Sequence, residues 1–171
     1  MDNQNKKKKF GGQKGTYLKS ISPDNKIIIK DTDVRFTSNE VFKKLKELTG
    51  IDWKKGYDPT PRNAKSNTFN KPWNKATIFL NPPFSKSKIF VEKLVTDMEQ
   101  YKQVKRALII LPWYQVECVE TRVTGCSKWF RKLRPRMSKL KFKKYHLKNQ
   151  KFLKPDGGSI LVRVYAIYLS R

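Results

Sequence analysis

The chain has 171 residues, with 39 Lys and Arg against 14 Asp and Glu, for a formal charge of +25. That length suits one domain with a core of its own, and that charge excludes a chain indifferent to polyanions: nucleic acid is the first expected partner and an anionic membrane surface the second. Two cysteines, Cys118 and Cys126, and one histidine, His146, exclude a disulfide framework, a zinc site and a hydrolase triad.

Residues 1–16 contain Lys6, Lys7, Lys8, Lys9 and three glycines, and read as a basic flexible arm. Residues 17–171 read as a single domain. A short strand is predicted over 26–30 after the turn at Ser22-Pro23-Asp24. Thr37 and Glu40 form a Thr-x-x-Glu capping box, followed by Val41, Phe42, Leu45 and Leu48 at helical spacing up to Gly50. Residues 51–75 are rich in Pro, Asn and Lys and read as a loop.

Residues 76–80 are an apolar strand, and Ser85 or Ser87 caps a helix running to about residue 102, with Phe90, Val91, Leu94, Val95 and Met98 as its buried stripe. A second apolar strand spans 106–111, so this strand-helix-strand unit predicts a right-handed parallel crossover at the heart of an α/β sheet. Beyond Pro112 come a short helix over 127–133, an alternating strand over 139–146, and a turn at Asp156-Gly157-Gly158. The long alternating run 159–169 is expected to close the sheet antiparallel. The apolar runs fall short of a membrane span, and the amino terminus lacks the apolar core of a signal peptide, so an intracellular setting and no membrane partner are expected.

Asn81-Pro82-Pro83-Phe84 ends the 76–80 strand. Two prolines fix φ, remove two donors and hold Asn81 extended, so an amide and a ring are presented at a carboxyl end, where ligands bind in open α/β sheets. The chemistry suited to that pair is methyl transfer to an exocyclic amine: Asn81 Oδ1 and the Pro82 carbonyl accept the amine hydrogens, and Phe84 stacks on a base flipped out of its duplex. The bland alternative is an ordinary Asn-Pro turn.

Between Glu120 and Asp156 there is no acid. The cations Lys128, Arg131, Lys132, Arg134, Arg136, Lys139, Lys141, Lys143 and Lys144 in this segment are the predicted phosphate-binding set, interleaved with Trp129, Phe130, Phe142, Tyr145 and Phe152. The rings are expected to point into the core and the cations outward. Six phosphate contacts would give a log K against log salt slope of about −5.

Several segments in order, Thr37-Ser38-Asn39-Glu40, Tyr57-Asp58-Pro59-Thr60-Pro61-Arg62-Asn63-Ala64, Trp73, Ile78 to Phe84, Phe90 to Lys93, Ala107 to Pro112, Lys128 to Phe130 and Leu140 to Phe142, are found together. In that order the chain resembles the phage and large-virus DNA adenine methyltransferase family, the Dam-like group, over roughly residues 33–169. The resemblance implies a Rossmann-like methyltransferase α/β fold, with a mostly parallel sheet, an antiparallel closing strand and helices on both faces. It also implies S-adenosylmethionine as methyl donor, Asn81, Pro82, Pro83 and Phe84 as the target-base motif, and Asp58, with Thr37 and Asn63, on the donor side. No metal is implied. The chain departs from the family pattern at Ser38, at Thr60-Pro61-Arg62, and in lacking a glycine-rich F-x-G-x-G element.

Two functions are therefore expected in turn: adenine methylation in DNA, or a catalytically weakened protein that binds nucleic acid or serves in virion assembly. RNA or an acidic virion protein stands behind DNA as partner. The setting is then the host cytoplasm or nucleus, or the virion interior.

Overall fold

A computed structural model describes residues 33–60, 69, 71–117 and 127–171. The basic arm, the strand expected over 26–30, Asn63, Cys118 and Cys126 lie outside the described residues.

The elements are β1 (Phe36–Thr37), α1 (Asn39–Thr49), β2 (Thr77–Leu80), α2 (Ser87–Gln100), β3 (Arg106–Pro112), α3 (Trp113–Val116), α4 (Lys128–Met137), β4 (Lys141–Leu153) and β5 (Ser159–Ser170), with 3-10 turns at Trp53–Lys55 and Phe84–Lys86. Helix α1 starts one residue later than the capping box predicts. Ser38, not Thr37, accepts from Val41 N at 3.4 Å, and Gly50 ends the helix with φ 72°. That frees the Thr37 hydroxyl for another role.

The predicted crossover is present: β2 and β3 pair in parallel from Thr77 opposite Arg106 to Leu80 opposite Ile109, with α2 between them in sequence. The rest of the sheet corrects the expectation. Its order is β1-β4-β5-β3-β2, and every pairing other than β2 with β3 is antiparallel. The fold is a mixed, mostly antiparallel, curled half-barrel of five strands with few helices, not a mostly parallel Rossmann-like sheet covered on both faces. The cause is the β4–β5 hairpin. Strands of 13 and 12 residues are joined across a tight turn in which Gly157 takes φ 83°. A two-to-one register shift between Leu147 and Gln150 bends the pair, and β5 lies inside the sheet rather than at its edge.

Alternation along the strands divides the core between two faces. Ile78, Leu80, Ile109, Leu111, Ile167 and Leu169 face α2 and α4. Phe79, Leu108, Ile110, Val164 and Ala166 face α1 and Trp53. The segment leading into β2 is anchored by buried Asp97 of α2, which accepts from Trp73 N at 2.8 Å and from Lys93 Nζ at 2.9 Å. Trp73 itself is fully buried, and the Lys93 ammonium lies 5.2 Å from its ring centre.

Removing the Asp97 carboxylate takes a buried acceptor from the Trp73 N–H and from the partly exposed Lys93 ammonium, so Asp97→Ala is expected to cost about 3 kcal/mol in urea unfolding. A cost under about 1 kcal/mol would show that the contact with Trp73 does not hold this segment.

Candidate functional site

Asn81 stands at the carboxyl end of β2 and is 5% exposed. Its Nδ2 donates to Arg35 O at 2.9 Å and to Thr37 Oγ1 at 3.0 Å. Because β1 belongs to the opposite edge of the sheet, paired to β4 through Phe36–Leu153 and Thr37–Phe152, this amide joins the two edges. With both Nδ2 hydrogens engaged, the amide orientation is fixed and Oδ1 faces away from β1. That oxygen is buried and has no partner among the described residues. An orphaned buried acceptor costs about 1–3 kcal/mol and calls for an explanation.

The explanation lies in the cleft beside it. Val34, Arg35, Phe36, Thr37, Phe42, Asp58, Thr60, Phe79, Asn81 and Pro83 form its walls. Three elements converge there. Tyr57 bridges Ile78 in parallel, its N donating to Thr77 O at 3.0 Å and its O accepting from Phe79 N at 2.9 Å. Running alongside β2 in the same direction, the chain delivers Asp58 to the end of the strand that carries Asn81. Asp58 Oδ1 then accepts from Thr60 N at 2.8 Å, an Asx turn that folds Thr60 back toward the cleft. Thr60 Oγ1 is a second buried oxygen with no partner among the described residues. Burial first, and the Asp58 and Asp97 carboxylates after it, hold the Tyr57 phenol above its ordinary value.

The cleft contains about 490 Å³ of atom-free space continuous with solvent, but the centre of a water molecule can reach only about 50 Å³ of it. At about 10–15 Å³ for each water, that is room for about four waters, so the cleft admits one edge of a ring or a short polar chain. Its walls offer acceptors, namely an amide oxygen, a carboxylate and hydroxyls. Arg35 also lines the cleft, so a cationic side chain stands beside these acceptors.

Thr37, Asp58, Asn81 and Pro83 line this cleft, and Pro82 is buried. Phe84 does not line the cleft. It packs edge-on against Phe152, with ring centres 6.5 Å apart, and its carbonyl accepts from Gln115 Nε2 at 2.8 Å. Thr60, Arg35 and Phe36 were missed as site residues. An Asp-Pro-Thr Asx turn was the available signal for Thr60, whereas no sequence pattern marks a two-residue strand such as β1.

The predicted cations divide by environment. Lys128, Arg131, Lys132 and Arg134 project from α4, Lys139 from the following turn, and Lys141, Lys143 and Lys144 from β4, all exposed. Arg136 differs: it donates to Glu99 through Nε at 3.0 Å and Nη2 at 2.5 Å, and to Thr96. That hydrogen bond from Arg136, ahead of the simple charge attraction, holds the Glu99 carboxyl below its ordinary value. The pair therefore persists above the usual carboxylate range and is released as pH falls through the lowered Glu99 value. Among the described residues no group of His, Cys, Asp and Glu could hold a metal, and no helix is long and apolar enough to cross a membrane.

Compared with protein-family models, curated proteins and solved structures, the chain finds no match.

Neutralising Lys139, Lys141, Lys143 and Lys144 together is expected to reduce the log K against log salt slope for DNA by about three to four units, whereas Arg136→Gln moves it by less than about half a unit. Equal effects per charge, read by anisotropy across a salt series, would show that the Glu99 pairing does not withdraw Arg136 from the phosphate face.

Proposed function

We propose that the protein transfers a methyl group to the exocyclic amine of adenine in DNA. One observation carries this reading: Asn81 Oδ1 is a buried acceptor without a partner among the described residues, on a side chain that lines a cleft shared with Asp58 and Thr37. An amine hydrogen accepted by that oxygen draws the nitrogen toward a pyramidal geometry and turns its lone pair out of the ring. The cleft has too little room for a whole base, so on this reading the base enters edge first. S-adenosylmethionine, when bound, supplies an electrophilic methyl on a cationic sulfur. Asp58 provides a carboxylate that suits its charge or its ribose hydroxyls and Thr37 holds Asn81 in place, and a cleft with room for about four waters has to widen to take donor and base together. No metal enters the scheme, and positioning supplies most of the rate. The sheet topology lends the proposal nothing, since fold and function are separable; it stands on the site alone.

A second reading is favoured by two specific contacts. Phe84 is turned onto Phe152 rather than toward the cleft, and the Asn81 Nδ2 group is committed to β1. On this reading the protein is a basic nucleic-acid-binding or virion assembly component in which transfer has been lost.

Calorimetric titration with S-adenosylmethionine separates the two. Roughly micromolar binding that disappears in Asp58→Ala is expected, together with methyl incorporation into adenine-containing DNA that is abolished in Asn81→Ala while DNA affinity stays within about twofold. No heat at millimolar donor, with DNA binding intact, removes the transferase and leaves the second reading.

A further inference from the structure

One surface lies outside the cleft and was not singled out from the sequence. Helix α3 exposes two large rings, Trp113 at 38% and Tyr114 at 43%, set edge to face. Exposed tryptophan and tyrosine side by side on a chain this polar invite a partner. From Trp113 a series of ring and cation contacts follows one face of the β4–β5 hairpin, with Tyr165 buried beneath the exposed Arg163, His146 and Lys144. The Arg163 guanidinium sits 5.1 Å from the centre of the Trp113 ring and donates through Nε to His146 Nε2 at 2.8 Å. His146 stacks on Tyr165 at 4.9 Å, and Lys144 Nζ lies 4.9 Å from the centre of that Tyr165 ring. Farther along, Arg134 of α4 lies 4.5 Å from the centre of the Phe142 ring. Register explains the alignment: His146 is opposite Tyr165 and Lys144 opposite Ile167, and Phe142, Lys144 and His146 alternate onto the same side of β4.

We infer that this ribbon binds nucleic acid as a single strand, with unpaired bases stacking on Trp113 and Tyr114 and phosphates following Arg163, Lys144 and Arg134. The inference rests on the nucleic-acid part of the proposed function and adds the strandedness of the substrate. Duplex DNA keeps its bases stacked inside and has no use for exposed rings, whereas a single strand gains about 1–3 kcal/mol for each base stacked on an aromatic side chain. The net charge of +25 supplies the complementarity to a polyanion. Among the described residues two acids lie near the run: Asp33, whose charge acts on the Tyr114 phenol, and Glu117, whose carboxylate lies 3.6 Å from Arg163 and also accepts from the Tyr165 hydroxyl, which orients both partners. The platform is tied to the Asn81–Phe84 turn through the Gln115 bond to Phe84.

The test is anisotropy of a labelled ~12-nucleotide single strand and of the matching duplex, on the full-length chain and on the Trp113→Ala, Tyr114→Ala double variant. The expected result is a loss of about fivefold or more for the single strand with the duplex within about twofold, and recovery in Trp113→Phe, Tyr114→Phe. If the alanine pair does not fold, Trp113→Leu, which keeps apolar bulk without the ring, is expected to show the same selective loss. Equal losses on both ligands, or no loss on either, overturn the inference. So does binding to anionic phospholipid vesicles that is lost in these variants when the single strand is not bound, which would give the ribbon to a lipid surface. Methyl incorporation is read separately, so failure of the platform leaves the Asn81 proposal standing, and failure of methyl transfer leaves the platform standing.

Discussion

The side-chain amide of Asn81 is the contact on which the rest of the molecule turns. Its two donated hydrogen bonds reach from the end of β2 to Arg35 and Thr37, across a sheet whose order otherwise keeps β1 and β2 at opposite edges. A five-stranded sheet has to curl to bring those edges together, and the long, bulged β4–β5 hairpin supplies the bend. The cleft is a by-product of that closure: β1 makes one wall, the Tyr57–Thr60 segment another, and the amide forms the end. The donors that hold the fold thereby determine which atom is left to face a ligand, an oxygen.

On the proposed function, structural and chemical roles are combined in one side chain. Two prolines after Asn81 deny the chain any continuation as a strand, and both are buried, so the amide cannot swing out with a flexible loop. Ser85 adds a further anchor, with its N donating to Asp33 Oδ2 at 3.1 Å. Phe84 is a half-buried ring packed on Phe152 at the edge of the core, and α3 displays the exposed rings. Within the basic segment the same economy applies. Arg136 is drawn into an ion pair that pins α4 to α2, while its neighbours on α4 and β4 remain in solvent.

The legible part of the fold was the part written in apolar periodicity. Ile78 to Leu80, the stripe of α2 and Ala107 to Leu111 could only be two buried strands around a helix, and they are. Strand β4 was read at half its length, because Lys141, Lys143, Lys144, Lys148 and Lys151 place polar residues on both faces and the bulge after Leu147 breaks the alternation. Helix α4 was cut short at Leu133 in expectation, yet it continues through Pro135 to Met137, whose burial against the core repays the broken turn. The Rossmann-like sheet extended the parallel strand-helix-strand reading to the whole sheet, and it failed where the hairpin took over the centre of the sheet. At the site, Asn81 and Asp58 were legible as residues and their meeting was not: Asn81 reaches its partners 44 and 46 positions away in sequence, and no local pattern encodes that distance.

The most direct measurement is the 15N–1H spectrum of the Asn81 side-chain amide, assigned by its disappearance in Asn81→Asp. The account predicts two protons that exchange with solvent far more slowly than those of an exposed asparagine, and that shift when an adenine-containing oligonucleotide is added. Protons exchanging at the rate of an exposed asparagine, or protected protons indifferent to the oligonucleotide, would contradict the claim that one amide both closes the sheet and receives the base.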